Sequence, residues 1–189
     1  MNTRKTYFSE YNLGTQLLFI LFTAVVGGIF IDSGGFVVSK IFDGPFFLDG
    51  YGNLGRYTLN LFDGNAGFPE NNFKDLPVMK GEMTLGLLMH LGVCIMDTLF
   101  YFFITFSILK STPKLLPAVI LLICFLFMPY CIMDPAVGAG FFGSRTENQF
   151  LTLFKSAMLH PFFGVGIWYG ANLFDKIYAS VKHKNNPAM

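Results

Sequence analysis

Charge is what this sequence has least of. Asp, Glu, Lys and Arg make up only 13% of its 189 residues, about half of the ~25% usual in a soluble domain. So few charges cannot cover a water-facing surface, which excludes the ordinary soluble globular class. The 13 Lys and Arg nearly cancel the 12 Asp and Glu and gather into no basic patch, so a nucleic-acid partner is excluded too. Cysteine is scarce. Cys94, Cys124 and Cys131 all fall within apolar runs, where they serve as small hydrophobes, not as a disulfide framework. Histidine occurs three times, so an imidazole inside an apolar run stands out. No internal repeat of the kind common in transporters is visible. No strand precedes the Gly138-x-Gly140 pair, which removes a nucleotide-loop reading.

Apolar residues are what the chain has instead: 53% of the total, with 24 Phe and a mean hydropathy of +0.52. They concentrate in four runs, 13–38, 83–109, 115–133 and 151–178, each long enough to cross a bilayer as a helix. The expected fold is therefore a single all-α domain, a bundle of four transmembrane helices. The first run follows Arg4 and Lys5 but is too long for the core of a signal peptide, so a retained helix is expected. Tyr7, Phe8 and Tyr11 before it would suit an interfacial aromatic belt. Pro117 and Pro129 interrupt the third run, a break that membrane helices tolerate when neighbours satisfy the freed carbonyls.

The outer loop, 39–82, carries turn signals at Asp43-Gly44, Asp49-Gly50 and Asp63-Gly64. It lacks the alternating acids of a calcium-binding EF-hand loop. Leu54, Thr58, Leu61 and Phe62 share one helical face, so 51–62 is expected to form a short helix lying flat on the membrane. Small residues recur at helical spacing in the first run (Ala24, Gly28, Gly35) and the last (Gly166, Gly170), a pattern that lets helices approach closely. With four spans both termini lie on one side. Arg4, Lys5, Lys110, Lys114, Lys176, Lys182 and Lys184 are on that side, which the positive-inside rule places in the cytoplasm.

Between the third and fourth runs stands Asp134-Pro135-Ala136-Val137-Gly138-Ala139-Gly140-Phe141, followed by Ser144-Arg145-Thr146. Together with His160, Gly164 and Gly166, this link resembles a group of bacterial four-helix integral membrane proteins known only as a domain of unknown function. Pro77, Gly81-Glu82, Gly86 and His90 extend the resemblance, as do Asp32 and the Gly55-Arg56-Tyr57 step. It touches most of the chain from Asp32 onward. It implies the four-helix fold and a location in the bacterial inner membrane, and it carries no activity. Asp134 departs from it, standing where a neutral polar residue is expected, and Asp97 has no counterpart in it.

An ionisable group kept inside hydrocarbon is a functional hypothesis by default, because burying it is costly. Asp32, His90, Asp97 and His160 are the candidates. At ~1.5 Å per helical residue, Asp32, His90 and His160 lie within about 15 Å of the outer ends and are expected to meet there. Asp97 falls near mid-membrane. Such a set could hold a divalent metal, ligate a haem through two histidines, or relay protons. The structural alternative favours no cofactor: each histidine locks one helix to the next, with His160 serving backbone freed by Pro161. Arg145 and the glycine N–H groups could hold an anion such as a lipid phosphate. Alternatively Arg145 pairs with Asp134 or Glu147 and staples the turn. No catalytic set is assigned and an enzyme is the less favoured class. The leading reading is a membrane protein handling an ion, proton or small solute. Its rival is an accessory subunit of a larger membrane complex, or a homo-oligomer, with the small-residue stripes as contact faces.

Overall fold

The computed structural model describes residues 8–42, 49–66, 76–136 and 138–185. It is all-helical, with no strand among the described residues. Four helices, Leu13–Ile41, Glu82–Ile108, Leu115–Met133 and Gln149–His183, are long and apolar enough to cross a membrane. They coincide with the four expected runs to within a few residues at each end. Tyr7, part of the expected aromatic belt, lies outside the described residues.

Helix α1 (Leu13–Ile41) begins where Asn12 Oδ1 accepts the Thr15 N–H at 2.9 Å, the N-cap bond that satisfies an otherwise orphaned donor. Before it, a short turn at Phe8–Glu10 is held by Gln16 Nε2, which donates to the carbonyls of Phe8 and Tyr11. Helix α2 (Asp49–Phe62) is the short helix of the outer loop. Helix α3 (Glu82–Phe102) runs on into a π-helical turn at Phe103–Ile108. Helix α4 (Leu115–Cys124) is followed by a π-helical turn at Pro129–Met133 and the single turn α5 (Asp134–Ala136). Pro129 has no N–H for the Phe125 carbonyl. Met128 N–H takes that carbonyl instead, at 2.9 Å. Asn148 Oδ1 accepts the Leu151 N–H at the start of α6 (Gln149–Asn185).

Helix α1 packs on both α6 and α3, α4 packs on α6 and also meets α3, where Phe100 and Phe125 have centroids 5.1 Å apart, and α2 packs on α3. The small residues set these approaches. A Cβ on Gly166 would stand 2.8 Å from Gly27 Cα, and one on Gly164 would stand 2.8 Å from Val119 Cα. The closest approach is between α2 and α3. A Cβ on Gly55 would run into the Glu82 carbonyl oxygen, and one on Gly86 into the Tyr51 carbonyl oxygen. The glycines read as possible contact faces for another subunit, Gly28 and Gly166 among them, are therefore used inside the bundle.

Two expectations are corrected here. The α2 helix does not lie across the bundle. Tyr51 at its start meets His90, and Asn60 near its end donates to the Pro77 carbonyl at 3.0 Å. It therefore runs antiparallel along the first part of α3, because the Gly55 and Gly86 contacts draw the two backbones together. Tyr11 is not a belt residue. It is 4% exposed, and its hydroxyl donates to Asp175 Oδ1 at 2.7 Å, with Phe8, Phe19, Phe174 and Tyr178 packed around it. The hydroxyl is held well above its usual range, chiefly by burial and then by Asp175.

Apolar side chains point outward all along the spans: Leu18, Leu88 and Leu116 are 61%, 62% and 67% exposed. Water would penalise such a surface, and a lipid solvent accepts it. The chain is a membrane protein.

The glycine contacts give a paired test. Gly92 has open space around it, whereas Gly86 faces the Tyr51 backbone. Gly92→Ala is expected to stabilise the protein by ~0.5–1 kcal/mol. Gly86→Ala is expected to cost ~3 kcal/mol, the upper end of overpacking penalties. Thermal unfolding in detergent separates the two.

Candidate functional site

Three helices each contribute one polar side chain to a cluster near one end of the bundle. Asp32 comes from α1, Tyr51 from the first turn of α2, and His90 from α3. Gly28, one turn before Asp32, leaves room for α3, so that a Cβ there would touch Cys94 Sγ at 3.5 Å and His90 Nε2 at 3.9 Å. The Gly55 and Gly86 contacts then seat Tyr51 over the imidazole, with ring centroids 4.5 Å apart.

The Tyr51 hydroxyl donates to Asp32 Oδ1. His90 Nε2 lies 3.2 Å from the Tyr51 oxygen, 3.4 Å from Asp32 Oδ1 and 3.6 Å from Cys94 Sγ. A phenol has one proton. Given to Asp32, it leaves the Tyr51 oxygen as an acceptor toward His90, so the network assigns the imidazole proton to Nε2. Burial first, and the Asp32 carboxylate second, hold the Tyr51 hydroxyl well above its ordinary range. Tyr51 therefore stays a donor at neutral pH. The His90 and Asp32 side chains retain 19% and 31% of their exposure, so the cluster is not sealed.

Next to the cluster, Arg56 and Glu82 form a bidentate ion pair, Nε to Oε2 at 2.9 Å and Nη2 to Oε1 at 2.7 Å. Glu82 Oε2 also accepts the Met79 N–H. The hydrogen bonds it donates to Glu82 keep the Arg56 guanidinium charged more firmly than usual. This pair clamps the middle of α2 to the start of α3, beside the Gly55 contact.

Of the sequence candidates, Asp32 and His90 come together and the others do not join them. His160 directs Nδ1 to the Ser156 carbonyl at 2.9 Å. That carbonyl is one residue before Ala157, whose carbonyl Pro161 leaves without a donor, so His160 does not serve the group expected. Asp97 forms no hydrogen bond or ion pair with the described residues. No group of three His, Cys, Asp or Glu among the described residues is arranged to hold a metal ion. Tyr51 was the member missed from the sequence. The available signal was a phenol directly after the Asp49-Gly50 turn and ahead of a glycine-rich helix.

The glycine link is built by backbone geometry. Gly138, Gly140 and Gly143 have φ of 81°, 75° and 64°, the left-handed region that glycine adopts without strain. The N–H groups of Gly138, Ala139, Gly143, Ser144, Arg145 and Thr146 all donate to carbonyls within the link. They are consumed by the turn and form no cradle for an anion. Pro135 is buried against the turn and Ser144 Oγ fills the space beside Gly140. Asp134 Oδ2 is buried and has no hydrogen-bond partner among the described residues. Burial pushes its carboxyl up to about 6.

A family model described as protein of unknown function (DUF2938) matches residues 21–174. That is most of the chain, and the chain belongs to this family. No curated protein and no solved structure matches it.

The raised Asp134 carboxyl makes stability depend on pH. Its ordinary value is 3.8 and its folded value about 6, so the folded state binds the proton more tightly than the unfolded chain. Stability contributed by the protonated form is complete below the lower value and is lost as pH rises through the upper one. Asp134→Asn is expected to raise the melting temperature at pH 8 and to leave it unchanged near pH 4. Melting curves across that range check it.

Proposed function

We propose that this member of the family is a proton-handling protein of the bacterial inner membrane, with Asp32, Tyr51 and His90 as its proton site. One observation carries the reading: a carboxylate, a phenol and an imidazole from three different helices share one hydrogen-bonded chain in an otherwise apolar bundle. Ionisable groups held at such depth are costly and mark ion or proton pathways in membrane proteins. Imidazole changes charge near neutral pH. Asp32 and Tyr51 supply it with a carboxylate acceptor and a neutral hydroxyl relay. The three side chains use one another as hydrogen-bond partners, which suits a proton better than a chelated metal.

The orientation that fits this reading has both termini in the cytoplasm, where Lys110, Lys114, Lys176 and Lys182 cluster. The cluster then faces the outer leaflet and exchanges its proton with the outer side.

Reconstituted liposomes with an internal pH dye and an imposed potential test the proposal. The wild-type protein is expected to acidify the lumen faster than empty liposomes. Asp32→Asn and His90→Gln are expected to lose at least ~10-fold of that rate, the scale of one or more 1.4 kcal/mol steps. A wild-type rate equal to that of empty liposomes, or full activity in Asp32→Asn, overturns the reading.

A further inference from the structure

Asp97 lies near the middle of the second span, Glu82–Ile108. It is half-buried and has no hydrogen bond or ion pair with the described residues. A carboxylate at that depth is costly, and the Asp32–Tyr51–His90 cluster does not use it. Its neighbours on α3 follow a pattern. From His90 to the end of the helix, the side chains that can pass a proton or bind water are His90, Cys94, Asp97, Thr98 and Tyr101. At 3.6 residues per turn these five share an arc of about 100°. Every Leu, Ile, Val, Met and Phe from 91 to 102 falls outside that arc.

The arc faces into the bundle. Cys94, Thr98 and Tyr101 are buried, whereas Met96, Leu99 and Phe100 on the opposite side are each 46% exposed. Both ends of the arc reach open positions. At one end, His90 and Asp32 keep part of their exposure. At the other, the Tyr101 hydroxyl donates to the Lys114 carbonyl at 3.3 Å, with Thr105 beside it, and Lys114 is exposed. His90 and Tyr101 are ~16 Å apart along the helix axis. Cys94 Sγ begins that interval, 3.6 Å from His90 Nε2, and the charges of both Asp32 and Asp97 reach its thiol. Thr98 Oγ1 is buried without a partner, the condition that a buried water relieves.

We propose that Asp97 is the relay carboxylate that takes protons from the His90 cluster and passes them along α3 toward Lys114. This role rests on the proton-site reading and adds the second half of its path. His90 and Asp97 are ~10 Å apart along the axis, more than one hydrogen bond spans. Water on Thr98 and the Cys94 thiol fills that step. Tyr101 follows Asp97 by one turn on the same face, where side chains four apart meet. Each proton that enters at His90 leaves at the Lys114 end, so the path needs no co-reactant.

Proton uptake by liposomes and the His90 ring titration, read by NMR on the same reconstituted samples, test the relay. Asp97→Asn is expected to lose at least ~10-fold of the wild-type rate while the His90 titration stays, because the cluster still loads. A residue that only packs the bundle would not separate these two readouts. Asp97→Glu is expected to recover most of the rate, and Tyr101→Phe to slow uptake several-fold. Wild-type uptake that persists in Asp97→Asn overturns the relay and leaves the proton site standing. So does an Asp97→Glu variant as slow as Asp97→Asn beside an unchanged His90 titration. Wild-type uptake no faster than that of empty liposomes overturns the proton site and the relay with it. Where Asp97→Asn does not fold, Tyr101→Phe decides, and an undiminished rate there overturns the path.

Discussion

The contact that decides most in this molecule is the one between the α2 and α3 backbones. Gly55 lies against the Glu82 carbonyl and Gly86 against the Tyr51 carbonyl, a reciprocal pairing that no other residue type could make. Because the backbones meet there, Tyr51 reaches past α3 to Asp32 on α1, and Arg56 falls opposite Glu82. The polar cluster is thus a product of two missing side chains. Without that approach α2 would have only its apolar face to hold it, and Asp32 and His90 would meet without the phenol between them.

The spans were legible because a bilayer imposes a single strong rule, a long apolar run, and the chain obeys it four times. The meeting of Asp32 with His90 was legible too. Both lie at similar depth from one end. Tyr51 was not, since its place depends on how a loop helix turns back along its neighbour, and nothing local fixes that course. His160 lay at a suitable depth but on a face that directs its ring to its own helix. Depth is readable from counting residues, whereas rotation about the helix axis is set by packing.

Hydrocarbon offers no partner to a stray polar group, and the link between α5 and α6 shows how the chain answers that demand. Its three left-handed glycines fold the backbone so that successive N–H groups close on carbonyls within the turn. Thr146 adds its hydroxyl to the Gly143 carbonyl at 2.7 Å, and Tyr130 reaches across from the π-helical turn after α4 to the Leu153 carbonyl at 2.7 Å. A sequence motif that looked suited to gripping a ligand is spent on closing itself.

The seam between α1 and α6 joins two helices that are far apart in the chain. Gly27 receives the Phe163 ring, Gly34 receives Phe162, and Tyr11 waits for Asp175. During synthesis α1 enters the bilayer with its grooves facing lipid, and the helix that fills them arrives only after about 110 further residues have been threaded. Every earlier stage of the chain is an open bundle with a pre-cut slot. The slot on α1 therefore closes in one late docking step, and until it occurs the slot is available to lipid, to a quality-control protease, or to the α6 of another copy.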